Sequence, residues 1–157
     1  MNVLNSLDTE TKKRPVFDGF ALVCDNNPMN ISIISSHLVK AGINTLIAVD
    51  GDDCVRLVNE QAKRYKKNNC AIYNKDTSKQ FDLIFIAVQM PAINGLEISM
   101  RIRDIDWNVP IIAMTNDSFI ENRMTYREYG IVDCLGKPIR KQDMLYCLSK
   151  YVAPVLV

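Results

Sequence analysis

Residues 81–97 read FDLIFIAVQMPAINGLE. The run Leu83-Ile84-Phe85-Ile86-Ala87-Val88 is apolar at every position, so both side-chain faces of a strand built from it must be covered. A helical segment follows Gly95, which makes the stretch one strand-then-helix unit. Related runs recur on either side: Phe20-Ala21-Leu22-Val23-Cys24, Thr45-Leu46-Ile47-Ala48-Val49, Val109-Pro110-Ile111-Ile112-Ala113-Met114 and the brief Asp133-Cys134-Leu135. Between them Ile31, Ile34 and Leu38 recur at helical spacing, with Pro28 near the start and Gly42 just past the end. Val55, Val58, Ala62 and Tyr65 mark a second helix, Ile120 to Tyr129 a fourth, and Met144, Leu145, Leu148 and Val152 a fifth. Strands that alternate with helices require right-handed crossovers, hence a doubly wound α/β sandwich with a parallel sheet. In such sheets chemistry gathers at the carboxyl ends of the strands.

The rest of the chain bounds what that sheet can do. Its 157 residues suit one domain with a core of its own. With 19 basic and 18 acidic residues it has no general attraction for nucleic acid or an anionic membrane. Cys24, Cys54, Cys70, Cys134 and Cys147 form no C-x-x-C pair, and their odd number argues against a closed disulfide framework. They read as small buried apolar side chains in a reducing compartment. With no signal-type N-terminus and no bilayer-length apolar run, the expectation is a soluble, intracellular, cytoplasmic protein.

Residues 1–18 are polar and aperiodic and are expected to form a leader or linker without a fold. The domain is expected over 19–152, with a surface insertion near 66–80 (KKNNCAIYNKDTSKQ) and a tail over 153–157.

Asp25 and Asn26 follow the first strand, Ala87 ends the third, Thr115 the fourth, and Lys137 comes after the fifth. By chemistry alone, Asp25 with the Asn26 carbonyl could hold a hard cation such as Mg2+, while Thr115 and Lys137 could hydrogen-bond an anion. The stretches ALVCDNNPMN, FDLIFIAVQMPAINGLE, PIIAMTND and GIVDCLGKPI resemble, in order and spacing, the motifs of response-regulator receiver domains of two-component phosphorelays. The D-N-x-P-M-N start is similar to receivers of hybrid histidine kinases, and VPIIAMTN to eukaryotic response regulators.

The resemblance implies a flavodoxin-like (βα)5 fold with strand order 2-1-3-4-5. It also implies a chemistry in which a carboxylate ending the third strand takes a phosphoryl group, with Mg2+ and a lysine neutralising charge. Asp25 corresponds to the first metal-site acid, Thr115 to the switch hydroxyl, Lys137 to the phosphate-binding lysine, and Pro138 to a proline after a cis bond. The departures matter more. Ala87 stands at the phosphoacceptor position, and a methyl group is neither nucleophile nor ligand. Asn26 replaces the second acid, so Mg2+ binding at Asp25 is expected to be weak or absent. Cys134 holds the place of the switch aromatic. Without phosphate, Lys137 is expected to pair with Asp25, and Thr115 to bond the backbone.

The resulting expectation is an atypical receiver, a pseudo-receiver that is not an enzyme, needs no cofactor and acts through protein contacts. Its partners would be a histidine kinase, a phosphotransfer protein or another receiver, a homodimer included, without direct contact with nucleic acid or membrane. The alternative is a conventional phosphoaccepting response regulator carrying an Asp-to-Ala substitution at 87. Family precedent places contacts on the first helix, here Met29, Ser32, Ile33 and Ser36, and on a second region carrying Arg123, Tyr126, Arg127 and Tyr129. Asp82 is expected at the remote end of the third strand, Glu97 on a solvated face, Asp117 in a loop or helix cap, and His37 on a helix surface. A nucleotide-binding or hydrolytic reading finds no G-x-G-x-x-G, no P-loop and no second carboxylate beside Asp25.

Overall fold

A computed structural model of the chain describes residues 16–70, 80–116 and 119–155. Its elements are β1 (Gly19–Cys24), α1 (Pro28–Lys40), β2 (Ile43–Ala48), α2 (Gly51–Cys70), β3 (Leu83–Ala87), α3 (Gly95–Ile105), β4 (Ile111–Thr115), α4 (Phe119–Glu128), β5 (Asp133–Gly136) and α5 (Lys141–Tyr151). The five strands form one parallel sheet in the order β2-β1-β3-β4-β5, as the resemblance implied. Gly19 pairs with Ile43, Ala21 with Leu83, Ile84 with Ile111 and Ile112 with Asp133.

Strand side chains alternate between faces, and each face has its own core. Ala21, Val23, Leu83, Phe85 and Ile112 pack with Ile34 and Leu38 of α1 and with Met144 and Leu148 of α5. On the other face Leu22, Ile84, Ile86 and Ile111 meet Val58 of α2, Ile98 and Ile102 of α3 and Tyr126 of α4. Every residue of β3 and β4 is buried, which is why these were the continuous apolar runs. Pro110 has no N–H and precedes β4, yet its carbonyl still accepts the Ile84 N–H at 2.9 Å.

Two boundaries differ from the sequence expectation. Val16 to Asp18 were assigned to a leader and residues 153–157 to a tail, but Phe17 is 2% exposed and bridges to Pro154. The Phe17 N–H bonds the Ala41 carbonyl at 2.8 Å, and the Val155 N–H bonds the Val16 carbonyl at 2.7 Å. The cause is the ring of Phe17, which joins the α1 and α5 core and whose carbonyl passes so close to Gly42 that a Cβ there would overlap it. The second difference lies in the expected insertion: residues 66–70 continue α2, and residues 71–79 lie outside the described residues, as do 1–15.

Candidate functional site at the strand ends

Asp25 follows β1 with only 1% of its surface exposed. Its Oδ1 accepts the Asn27 N–H at 3.0 Å. Asn27 in turn caps α1, its side-chain oxygen accepting the N–H groups of Met29 at 2.9 Å and Asn30 at 3.2 Å, with Pro28 in the first turn. The acid is thus bound into the helix start. Its Oδ2 accepts no hydrogen bond and faces Lys137 Nζ at 3.4 Å, the pairing anticipated from the sequence. Lys137 is carried past the end of β5, where its N–H bonds the Thr115 carbonyl at 2.9 Å, and the Lys137-Pro138 peptide is cis. At 13% and 1% side-chain exposure, both charges are largely withdrawn from water.

Ala87 closes β3 with no exposure, packed in the same core as Phe85 and Met114. Thr115 is likewise buried, and Gln89 Nε2 approaches its Oγ1 at 3.4 Å. A cavity of about 410 Å3 opens over these ends, lined by Asp25, Asn26, Asn27, Asn30, Gln89, Asn116, Lys137 and Pro138. One acid and one ammonium therefore sit among five side-chain amides, and the lining carries no net charge. Asn27, Asn30, Gln89 and Asn116 were not singled out in the sequence, although the N-N-P-M-N run and the Gln two residues past Ala87 were visible signals. Cys134 does not join this cavity: it lines a separate space of about 250 Å3 with Tyr146 and Lys150 on α5.

Among the described residues no three His, Cys, Asp or Glu side chains cluster as a metal site. The cavity offers one carboxylate, already engaged by a backbone N–H and facing an ammonium, together with neutral amides. Mg2+ keeps several waters and is held through one or two carboxylates and phosphate oxygens, and with the one carboxylate here turned to an ammonium this is a poor donor set for the ion. Behind Asp25, Cys24 is fully buried, and its thiol is raised above its ordinary range, first by hydrogen bonding with Cys54 and then by burial, which favours the protonated form.

The secondary candidates sort clearly. Asp82 sits at the remote end of β3, as expected, and its Oδ2 accepts the Phe20 N–H at 2.8 Å. Glu97 is exposed on α3. His37 is not a free surface side chain: it is half-buried, with Nε2 3.1 Å from the Ile139 carbonyl, because α1 packs beside the turn after β5. Tyr126 is no surface residue either, being 3% exposed in the core beneath α4, while Arg123 and Arg127 are exposed. Asp117 lies outside the described residues.

The chain matches the response regulator receiver domain family over residues 21–149. It belongs to that family. Among curated proteins it is 32% identical over 129 residues to hybrid signal transduction histidine kinase I of Dictyostelium discoideum, an alignment covering 80% of this chain and 7% of the kinase. It is 39% identical over 83 residues to the transcription factor SKN7 of Chaetomium thermophilum, covering 53% of this chain and 11% of that protein. The chain thus spans a small part of the relatives it matches. Among solved structures, a mutant receiver domain of the histidine kinase CKI1 from Arabidopsis thaliana superposes with a TM-score of 0.70 at 25% identity, covering 86% of this chain and 89% of that one. The chemotaxis protein CheY4 of Vibrio cholerae shares the fold, with a TM-score of 0.69 at 20% identity and coverage of 85% and 98%. The CKI1 receiver is also known in complex with Mg2+ and BeF3-. Receivers are signalling modules of two-component phosphorelays, and the described part of this chain has no helix long and apolar enough to cross a membrane.

Proposed function

We propose that this receiver signals through protein contact and does not itself accept a phosphoryl group or retain Mg2+. The observation that carries the reading is Ala87, a methyl group buried in the core at the end of β3, where the family motif has its nucleophile. The Lys137 to Asp25 pair supports it, because the ammonium that would neutralise phosphate already has a buried anionic neighbour. A cavity lined mainly by amides and without net charge suits a partner's polar side chain better than a phosphate dianion. The contact surface is α1, where Met29 is 71% exposed and Ser32 and Ser36 are open to solvent beside it. A histidine kinase, a phosphotransfer protein or another receiver is the partner class that the family membership favours.

The test exposes the chain and its Ala87→Asp variant to a phosphohistidine donor, and separately to acetyl phosphate, each with Mg2+. The chain as it stands remains unlabelled. Label on Ala87→Asp alone identifies a receiver disabled at one side chain, and label on neither identifies a module specialised for contact. An acyl phosphate on the unaltered chain refutes the proposal. In parallel, the chain should slow phosphotransfer from a phosphotransfer protein to an intact receiver, and Met29→Asp should relieve that competition.

A further inference from the structure

At the opposite end of the sheet, where the connections into β4 and β5 run together, lies a cavity of about 390 Å3. It is lined by Arg103, Trp107, Arg127, Gly130, Ile131 and Val132, so two guanidinium groups face it and no carboxylate does. Arg103 donates from Nε and Nη2 to the Gly130 carbonyl at 3.1 and 2.5 Å, and from Nη1 to the carbonyls of Val109 at 2.6 Å and Asp106 at 3.3 Å. These neutral partners orient the group and leave one Nη2 hydrogen spare; the carboxylate that acts on its charge is Asp106, which makes no ion pair with it and whose Oδ1 accepts the Asn108 and Val109 N–H groups. They also tie the two connections together: a Cβ at Gly130, whose φ is +84°, would lie 2.7 Å from Arg103 Nε. The cavity wall is therefore preformed, which lowers the ordering cost of binding. Arg127 is exposed and has no hydrogen-bond or ion-pair partner among the described residues. Trp107 is 81% exposed, the largest exposure among the large apolar side chains of the described residues, and Val132 beside it is 43% exposed. Trp and Arg together are the residue types that anchor protein interfaces.

We propose that this cavity docks an acidic, apolar segment of a partner protein, with a carboxylate on Arg127 and the outer edge of Arg103 and an apolar side chain against Trp107. Charge complementarity selects that occupant. Two cations and no carboxylate line the cavity, which favours an anionic occupant, while the exposed Asp104 and Glu128 next to them in the chain repel the continuous phosphates of a nucleic acid and tolerate a single carboxylate. The site faces away from Lys137, so its partner leaves the strand-end cavity open. Its fate is also independent of whether Ala87 excludes phosphorylation.

Trp107 is the only tryptophan in the chain, so its fluorescence reports on this cavity directly. Short random peptides lacking Trp and Tyr are selected on the chain, and the enriched sequences are titrated while emission is followed. The expected result is enrichment of sequences pairing Asp or Glu with Leu, Ile or Phe, each moving Trp107 emission to the blue. Affinity, measured by isothermal titration calorimetry so that it does not depend on the tryptophan, should fall about tenfold or more in Arg127→Glu and in Trp107→Ser, and also at high salt. Circular dichroism confirms that both variants fold, and Arg127→Gln provides a milder second variant. Enrichment of uncharged or basic peptides overturns the proposal, as does binding that leaves the emission unmoved or survives Arg127→Glu. Tighter, Arg127-dependent binding of duplex DNA or inorganic phosphate overturns the assigned occupant. So does self-association in sedimentation that Trp107→Ser abolishes.

Discussion

Replacing Lys137 with Met removes the ammonium beside a carboxylate that the fold holds at 1% exposure. At 3.4 Å, two unit charges attract by about 5 kcal/mol at an effective dielectric near 20. In the intact chain the desolvation of both groups offsets much of this. In the variant the attraction is gone but Asp25 remains buried, with the Asn27 N–H as its compensating donor. Deleting one member of a buried pair costs about 3–5 kcal/mol. Because Lys137 keeps 13% exposure and the separation is long for a hydrogen bond, the expected loss falls at or just below the bottom of that range, about 2–3 kcal/mol. Asp25→Asn should be milder, below about 1 kcal/mol, since the amide oxygen still serves Asn27 and Lys137 can turn toward water. The double variant strands no charge and should be more stable than Lys137→Met alone. Urea unfolding followed by far-UV circular dichroism measures all three, because exposed Trp107 is a poor reporter of unfolding. An unchanged midpoint in Lys137→Met, or a larger loss in Asp25→Asn, would refute this account of the pair.

Phe17→Ala should cost about 3 kcal/mol and lower Tm by about 10 °C in thermal melts, whereas an unchanged Tm would return Val16 to Asp18 to a leader without structure. Gly95→Ala places a Cβ 2.6 Å from Ile86 Cγ2 and over the Ala87 carbonyl, so α3 must shift at a cost of about 2 kcal/mol in chemical denaturation; a neutral variant would mean that this contact is soft. Burial, followed by Asp133, pushes the Cys147 thiol up to about 12, so peptide mapping after alkylation at mildly basic pH should find it unmodified until the chain unfolds. Rapid native labelling there would contradict that burial. Tyr126→Ala should lose about 3 kcal/mol on thermal melting while Arg123→Ala stays near neutral, and comparable stabilities would put Tyr126 back on the surface.

Legibility of the fold followed burial. β3 and β4 are covered on both faces, so an unbroken apolar run betrayed them. The edge strands were less distinct. β2 buries only its two ends, so it was read as starting at Thr45 when it begins at Ile43, and β5 buries only Leu135. Phe17 was missed because a single aromatic beside polar neighbours has no period, and its burial depends on Gly42, Ala41 and Pro154, which adjoin it only after folding. Tyr126 was placed on the surface because α4 carries few apolar residues and its amphipathic face is weakly marked in the sequence. The acid, the lysine and the alanine of the site were legible because ordered motifs carry them, whereas Gln89 and Asn116 were not, since amides from separate loops have no pattern of their own.

The order of apolar runs and helical periods determined, without coordinates, a doubly wound sandwich, because strands that alternate with helices can cover both faces of a parallel sheet in few ways. The residue at 87 also determined by itself that no carboxylate ends β3, a matter of atoms and not of geometry. Only the tertiary structure decided that Asp25 and Lys137 stand 3.4 Å apart with both side chains largely withdrawn from solvent, and that Trp107 lies open beside two arginines at the far end of the sheet. Distance and exposure belong to segments remote in sequence, and packing, unlike composition or period, brings them together.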